Sequence, residues 1–137
     1  MVQLNPYLTF NGNCREAMSF YKDCLGGELN LQTIGESPVS DKMPEKMKAC
    51  ILHGVLTTGT LTLMATDCVP ETLFRGNTIS LCLNFNNEDE LRTCFEKLSA
   101  GGKTNQAPED TFWGALFGDL TDRYGNHWLL NFSRNQS

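Results

Sequence analysis

The sequence predicts an α+β fold made of two βαβββ modules, and two observations lead to that prediction. The segment that begins at Leu8 returns at Leu83, so that Phe10 and Phe20 are matched by phenylalanines 75 positions later. The hydrophobic period then changes from about 3.6 to about 2 after each copy, as it does where a helix gives way to strands. A unit this short cannot bury its apolar face alone, so the two copies are expected to pack as one domain of 137 residues.

Module one is expected to span about 1–66. Asn13 and Glu16 form an N-x-x-E pattern that predicts the start of its helix. The glycines at 26–27 predict the end of that helix, because glycine readily adopts the left-handed conformation that closes a helix. The predicted apolar face of the helix is Ala17, Phe20, Tyr21 and Cys24, and the predicted strands are 28–34, 49–56 and 60–65.

Module two, about 77–137, repeats this arrangement with Asn87 and Glu90 at the start of its helix and glycines at 101–102 at its end. Its caps are offset by 74 positions rather than 75, which predicts a shorter strand-to-helix turn and a helix one residue longer. The predicted helix face is Leu91, Cys94, Phe95 and Leu98, and the predicted strands lie near Lys103, at 113–120 and, after a turn at 122–126, at 127–132. Two loops, 35–46 and 67–77, match no element, and such loops often carry function.

Charge and cysteine spacing limit the partners and the compartment of the chain. The formal net charge is -5, from 16 acidic and 11 basic residues, and the basic residues form no stripe, which argues against a nucleic-acid partner. No apolar run approaches the ~20 residues that span a bilayer, and the N-terminus lacks the pattern of a signal peptide, so we expect a cytoplasmic protein without a membrane partner. The six cysteines include no C-x-x-C pair, which predicts reduced thiols and no structural zinc site.

Two motifs and one histidine resemble a known family. The chain opens with PYLTFNGNCREAMSFYKDCLGGEL, carries an isolated His53 on its third predicted strand, and closes with TFWG and FGDLTDRYGNHWLLNF. These features resemble the PhnB-like branch of the glyoxalase, bleomycin-resistance and dioxygenase superfamily, also called vicinal oxygen chelate proteins, over nearly the whole chain. The resemblance implies that the sheets of the two modules curl around a cavity, usually completed in a homodimer.

The resemblance also implies where a metal ion would bind. In metal-dependent relatives, His, Glu or Gln at four cavity-facing positions hold a divalent ion, one on the first strand and one on a late strand of each module. Carried over by motif, these positions fall near 5–7, at His53, near 78–80 and at Leu129. Lewis-acid catalysis needs two or three good ligands and an open coordination position, and only His53 is a good ligand here. We therefore expect no cofactor and no bound metal, and His53 is a weak candidate ligand. The only further candidate ligands are His127 and Asn131, which share a strand face with Leu129.

The expected pocket residues are Tyr7, His53, Ser80, Trp113 and Leu129. For His53 the alternatives are a role in the pocket, as base, donor or ligand, and a half-buried imidazole satisfied by one hydrogen bond. Trp113 follows a polar stretch at a loop-to-strand junction, where an aromatic ring can line a cavity, and we expect it to share that cavity with His53.

Other chemistry-bearing residues are expected to be structural. His127 follows a tight turn and is expected at an exposed strand start, and Asp122 is expected to build that turn. Cys50 and Cys82 fall on predicted strands and no Cys-His-acid arrangement is evident, so no catalytic residue is assigned. The turn GNCREA has one glycine, which argues against the nucleotide cradle of a Rossmann-type methyltransferase.

These observations leave three functions open. The first is a homodimeric, PhnB-like protein that binds a small molecule, with enzymatic activity unproven. The second is a metal-dependent lyase, isomerase or dioxygenase centred on His53 with nonstandard partners. The third is a metal-free protein that sequesters an antibiotic, for which the net charge of -5 suits a cationic drug.

Overall fold

A computed structural model describes residues 2–38, 40–67 and 72–134. The chain divides into two compact units, unit one at 1–74 and unit two at 75–137. Each unit contains one α-helix and one four-stranded mixed sheet, which confirms the predicted α+β fold of two βαβββ modules. The boundary between the units falls inside the loop predicted at 67–77, of which 68–71, including Cys68, lies outside the described residues.

Unit one follows the predicted order of elements. Its sheet runs β1-β4-β3-β2, with β1 parallel to β4 and the other neighbours antiparallel. The loop predicted at 35–46 contains short 3₁₀ turns. They lie at 34–36, 40–42 and 45–47, between the second and third strands. The elements are β1 (Tyr7–Thr9), α1 (Cys14–Leu25), β2 (Glu28–Thr33), β3 (Ile51–Thr58) and β4 (Leu61–Thr66).

Unit two repeats this topology with the sheet order β5-β8-β7-β6, β5 being parallel to β8. The strand predicted at 113–120 begins later, because Gly114 adopts a φ of 87° and residues 112–114 form a turn instead. The elements are β5 (Leu81–Phe85), α2 (Glu88–Ser99), β6 (Lys103–Asp110), β7 (Ala115–Thr121) and β8 (His127–Ser133). Neither helix of the described residues is long and apolar enough to cross a membrane.

The two helices begin in different ways, although their sequences predict the same cap. At α2 the Asn87 side chain accepts a hydrogen bond from the backbone N–H of Glu90 at 3.0 Å, as predicted. At α1 the Asn13 side chain makes no such bond. Asp67 takes its place, because the Oδ1 of this buried carboxylate accepts the backbone N–H groups of Gly12 and Cys14 at 2.9 and 3.0 Å. The helix therefore begins where predicted, with Asn13 at the N-cap, but the predicted side-chain bond of Asn13 is absent.

The helices end as predicted but are equal in length. Gly26 and Gly101 have φ angles of 78° and 79°, the left-handed conformation that glycine permits. Both helices contain 12 residues, so the prediction of a longer second helix is wrong. The extra residue of the second copy is Ala100, which caps α2 before the glycines.

Each unit places a glycine on its third strand, on the side of the sheet that packs against the core. A Cβ atom on Gly118 in β7 would lie 2.7 Å from the ring of Phe95 in α2. A Cβ atom on Gly54 in β3 would lie 2.8 Å from Cδ2 of Leu31. The cores beneath α1 and α2 therefore have no room for a side chain at these two strand positions.

Candidate functional site

Each sheet is covered by a helix on one face, and the alternation of its strands gives the opposite face, here called the open face. In β3 the buried Leu56 belongs to the side that packs against α1, so its neighbour Val55 and the next alternate residue His53 belong to the open face of unit one. In β7 the buried Leu116 and Leu120 belong to the side of α2, which places Phe117 on the open face of unit two.

The open face of unit one brings together two of the expected pocket residues. The rings of Tyr7 and His53 lie with their centroids 6.1 Å apart at an interplanar angle of 33°. Tyr7 is 51% exposed and His53 is half-buried, with Gln32 paired opposite it in β2. None of the residues that the structure describes hydrogen-bonds the His53 imidazole, and the choice between the two roles expected for this histidine stays a prediction.

The ladder registers identify which positions of the two units are equivalent. Tyr7 in β1 pairs with Met64 in β4, and the equivalent parallel ladder pairs Cys82 in β5 with Leu129 in β8. The counterpart of Leu129 in unit one is therefore Met64. The counterpart of Tyr7 in unit two is Cys82, which lies 75 positions later, the offset of the repeat, and the exposed Ser80 lies just before β5 begins.

His53 consequently occupies a different position from the one the motif gave it. Met64 pairs with Val55 in β3, and Leu129 pairs with Asp119 in β7, so His53 and Phe117 are counterparts, each two residues earlier on its strand. The offset between the units has dropped to 64 at this point, since unit one carries the longer segment between its second and third strands. An alignment at the offset of 75 cannot find these counterparts.

The four equivalent positions do not fit a divalent metal ion. They carry the Tyr7 phenol, the Met64 thioether, the Cys82 thiol and the Leu129 alkyl side chain, of which only the thiol is a ligand that zinc prefers, and a single such ligand is too few. Desolvation raises the pKa of the Cys82 thiol above its ordinary value of 9.0, which disfavours the thiolate form that binds metal ions. No three His, Cys, Asp or Glu side chains of the described residues are grouped to hold a metal. These four positions therefore support no catalytic step through a metal ion.

The two further candidate ligands, His127 and Asn131, form hydrogen bonds within unit two. His127 is half-buried rather than exposed, and its Nδ1 and Nε2 lie 3.0 Å from Thr121 Oγ1 and 3.0 Å from the Gly76 carbonyl oxygen. Because a carbonyl oxygen only accepts, Nε2 carries the proton and Nδ1 accepts from the Thr121 hydroxyl when the ring is neutral. Asn131 donates to Asn84 at 3.1 Å across the parallel ladder.

Aromatic rings dominate the edge of the open face of unit two. Trp113 lies in the turn before β7, is 56% exposed and packs edge-on against Phe117, with ring centroids 6.2 Å apart at 67°. Phe112 lies 5.0 Å from Trp113 and is 97% exposed. Trp113 and His53 belong to different units, and their sharing one cavity stays a prediction.

Asp122 has the structural role predicted for it. It is buried, and its Oδ1 accepts the backbone N–H groups of Tyr124 and Asn126 at 2.8 and 3.1 Å. Its Oδ2 accepts the indole N–H of the buried Trp128 at 2.8 Å. The carboxylate thus fixes the turn before β8 and orients a core tryptophan.

The cysteines of the described residues form no disulfide with one another. Burial, and then the neighbouring Asp67 carboxylate, raises the pKa of Cys14 to about 12, so this thiol stays protonated. Cys68 lies outside the described residues.

Two βαβββ units, each with a helix on one face of its sheet and an open face opposite, define a class of proteins. Residues 3–130 match the family model described as the glyoxalase, bleomycin resistance protein and dioxygenase superfamily, and the chain belongs to this superfamily.

Individual relatives resemble the chain over almost its full length. It is 32% identical to protein YjdN of Escherichia coli strain K12, with 97% of each chain covered. The structure of protein PA1353 from Pseudomonas aeruginosa is similar at 39% identity with a TM-score of 0.84, covering 97% of this chain and 98% of that one. A Bacillus cereus PhnB protein, named as a putative 3-demethylubiquinone-9 3-methyltransferase, has the same fold at 23% identity and a TM-score of 0.75, covering 96% of this chain and 100% of that one.

Proposed function

We propose that this chain is a PhnB-like member of the superfamily that binds a small organic molecule on the open faces of its sheets without a metal ion. The observation that carries the proposal is the content of the four equivalent positions: Tyr7, Met64, Cys82 and Leu129 offer no ligand set for a divalent ion. The PhnB-like assignment is supported by the opening and closing motifs and by the fold shared with the Bacillus cereus protein.

The open faces have the composition of ligand-binding surfaces. Aromatic rings that remain accessible beside a few polar groups are typical of small-molecule sites, where the rings supply contact area and the polar groups fix orientation. Tyr7 and His53 provide this combination in unit one, and Trp113 and Phe117 provide the aromatic part in unit two. Of the expected pocket residues, Leu129 also lies on an open face, whereas Ser80 precedes the sheet.

The experiment is to recover what the protein carries. Untagged protein is purified under mild conditions and denatured, and the released small molecules are quantified by mass spectrometry beside the variants Tyr7→Ala and His53→Ala. The expected result is an organic molecule in fixed ratio to the wild-type protein that is reduced in both variants. Ser80→Ala serves as the matched control and retains it.

Two results would contradict the proposal. One is release of the same compounds from wild type and both variants, which would remove the open face of unit one as a binding surface. The other is turnover of the methylglyoxal–glutathione hemithioacetal or of catechol on adding Ni²⁺, Zn²⁺ or Fe²⁺, abolished by His53→Ala, which would establish the metal-dependent enzyme. Tight binding of bleomycin by metal-free protein would assign the antibiotic-sequestering function.

A further inference from the structure

Three adjacent strands of unit two bring two amides and an aromatic ring into one row across the open face. Asn84 in β5 pairs with Asn131 in β8, and Asn131 pairs with Phe117 in β7. Neighbouring strands lie about 4.8 Å apart, so the row from Asn84 to Phe117 spans roughly 10 Å. This row is here called the amide–aromatic row.

The two amides leave a hydrogen-bonding edge unused. Asn131 Nδ2 donates to Asn84 Oδ1 at 3.1 Å, and no other described residue hydrogen-bonds either side-chain amide. A carboxamide has two N–H donors and one carbonyl acceptor, so the pair retains donors on Asn84 and an acceptor on Asn131. If the N and O atoms of both amides are exchanged, Asn84 donates to Asn131, and the pair then retains donors on Asn131 and an acceptor on Asn84. The pair therefore retains both a free N–H donor and a free carbonyl acceptor.

The ring at the end of the row selects planar ligands. Phe117 lies directly across the β7–β8 ladder from Asn131, and the exposed Trp113 packs edge-on against it. A planar ring system placed over Phe117 gains offset or edge-to-face contacts with both aromatic side chains. Its polar edge then reaches the amide pair at the other end of the row.

Charge around the row disfavours an anion. Glu109 pairs with Phe117 from the neighbouring strand β6, and Asp119 lies two residues further along β7, where Asn105 hydrogen-bonds it at 3.2 Å. A carboxylate or phosphate ligand would meet these two acidic side chains and the free Asn131 carbonyl. A neutral group that both donates and accepts meets neither difficulty.

We infer that the amide–aromatic row binds a neutral planar heterocycle through a lactam edge, an N–H next to a C=O on one ring. The lactam carbonyl accepts from the Asn84 amide, the lactam N–H donates to the Asn131 carbonyl, and the ring lies against Phe117 and Trp113. This inference rests on the proposed function and assigns a ligand class to the open face of unit two.

The test uses lumazine, a bicyclic pteridine-dione with such an edge, and 1,3-dimethyllumazine, in which both lactam N–H groups are methylated. Binding to the full-length protein is measured by calorimetry and by quenching of tryptophan fluorescence. The quenching reports on Trp113, because the other tryptophan, Trp128, is buried and bonded to Asp122. The expected result is that lumazine binds and that methylation weakens binding about tenfold or more, since one or two hydrogen bonds are lost.

Variants test the two ends of the row. Asn84→Ala and Asn131→Ala are each expected to raise the dissociation constant of lumazine about tenfold. Phe117→Leu is expected to weaken lumazine and dimethyllumazine by a similar factor, because it removes only the ring contact. Asn13→Ala, at an exposed asparagine at the start of α1, is the matched control and leaves both constants unchanged.

Equal binding of the two compounds, no binding of lumazine, or full binding to both asparagine variants would each overturn the inference. These outcomes are separable from the proposed function. A compound released from wild type but not from His53→Ala would uphold small-molecule binding even where lumazine fails.

Discussion

At the scale of single residues, the most informative side chain is Asp67. Its carboxylate caps α1 through Gly12 and Cys14, and its Oδ2 also accepts the backbone N–H of Ile51 at 2.9 Å, at the start of β3. One buried acidic residue after β4 therefore ties a helix terminus to a neighbouring strand. The sequence offered Asn13 for this role because local patterns show caps only within a few residues, whereas Asp67 lies more than 50 residues away.

Substitutions at these two positions separate the two caps. Asp67→Ala leaves three backbone N–H groups without their acceptor and is expected to cost about 3 kcal/mol of unfolding free energy. Asn13→Ala removes no cap bond and is expected to cost less than about 0.5 kcal/mol. Urea denaturation of both variants is the measurement, and an equal cost at the two positions would contradict the assignment.

The candidate site shows the same limit of sequence patterns. Strand alternation and the resemblance singled out His53 and Trp113. In the structure His53 lies on the open face of unit one, and Trp113 packs against Phe117 on the open face of unit two. Met64 and the amide pair of Asn84 and Asn131 were missed as site residues, because their significance depends on pairing across a parallel ladder. The apolar Met64 and the common Asn carry no motif of their own.

At the scale of elements, the period and the glycine stops predicted the helices and most strands, since these signals are local. The sequence did not predict the 3₁₀ turns between β2 and β3, because such turns are short and leave no periodic pattern. Thr33 and Glu36 do form a capping box at the first of these turns, with the Thr33 hydroxyl accepting from the Glu36 N–H at 3.2 Å.

The close packing of α2 on its sheet predicts a cost for a single methyl group. Gly118→Ala places a Cβ 2.7 Å from the Phe95 ring and is expected to cost about 1–3 kcal/mol, because the ring must shift within a packed core. Gly76→Ala is the matched control, since a Cβ there meets nothing within 4 Å. Thermal and urea unfolding of the two variants should differ clearly, and equal stability would show that α2 does not pack as described.

Ion pairs at the start of α2 predict a dependence of stability on pH. Hydrogen bonds from Arg92 and then Arg134 lower the pKa of Glu88 below its ordinary value of 4.5. The contribution of Glu88 is therefore complete above pH 4.5 and is lost as the pH falls through the lower folded-state value.

The measurement compares the urea midpoints of wild type and Glu88→Gln across this range. The difference between them should be constant near neutral pH and shrink in acid, and it should decrease in high salt. Glu96→Gln, at an exposed glutamate of the same helix, is the control. A difference that grows in acid would contradict the assigned pKa direction.

At the scale of the whole molecule, the duplication was sufficient to predict the architecture, because a repeated strand, helix and glycine stop leaves few topologies open. It could not predict how positions in the later strands correspond, since the two copies differ in the length between their second and third strands. The late-strand metal-ligand position of unit one was assigned from the sequence within this misaligned region. His53 was therefore chosen, whereas the strand pairing identifies Met64 as the residue at that position.

Association of two copies remains a prediction at this scale. Phe74, Ile79 and Phe112 are 90%, 74% and 97% exposed, and burying such side chains between two copies would stabilise a homodimer. Light scattering at micromolar concentration is expected to give twice the chain mass of 15.3 kDa. A mass of one chain across the whole dilution series would exclude a stable dimer.

The central claim, that the protein binds its ligand without a metal ion, is tested most directly by elemental analysis. Untagged protein is incubated with Ni²⁺, Zn²⁺ and Mn²⁺, desalted, and measured by mass spectrometry beside His53→Ala. The donor set of Tyr7, Met64, Cys82 and Leu129 predicts far less than one equivalent of any metal in both proteins. Near-stoichiometric metal in the wild type that is lost on His53→Ala would contradict the claim and establish a metal centre at His53.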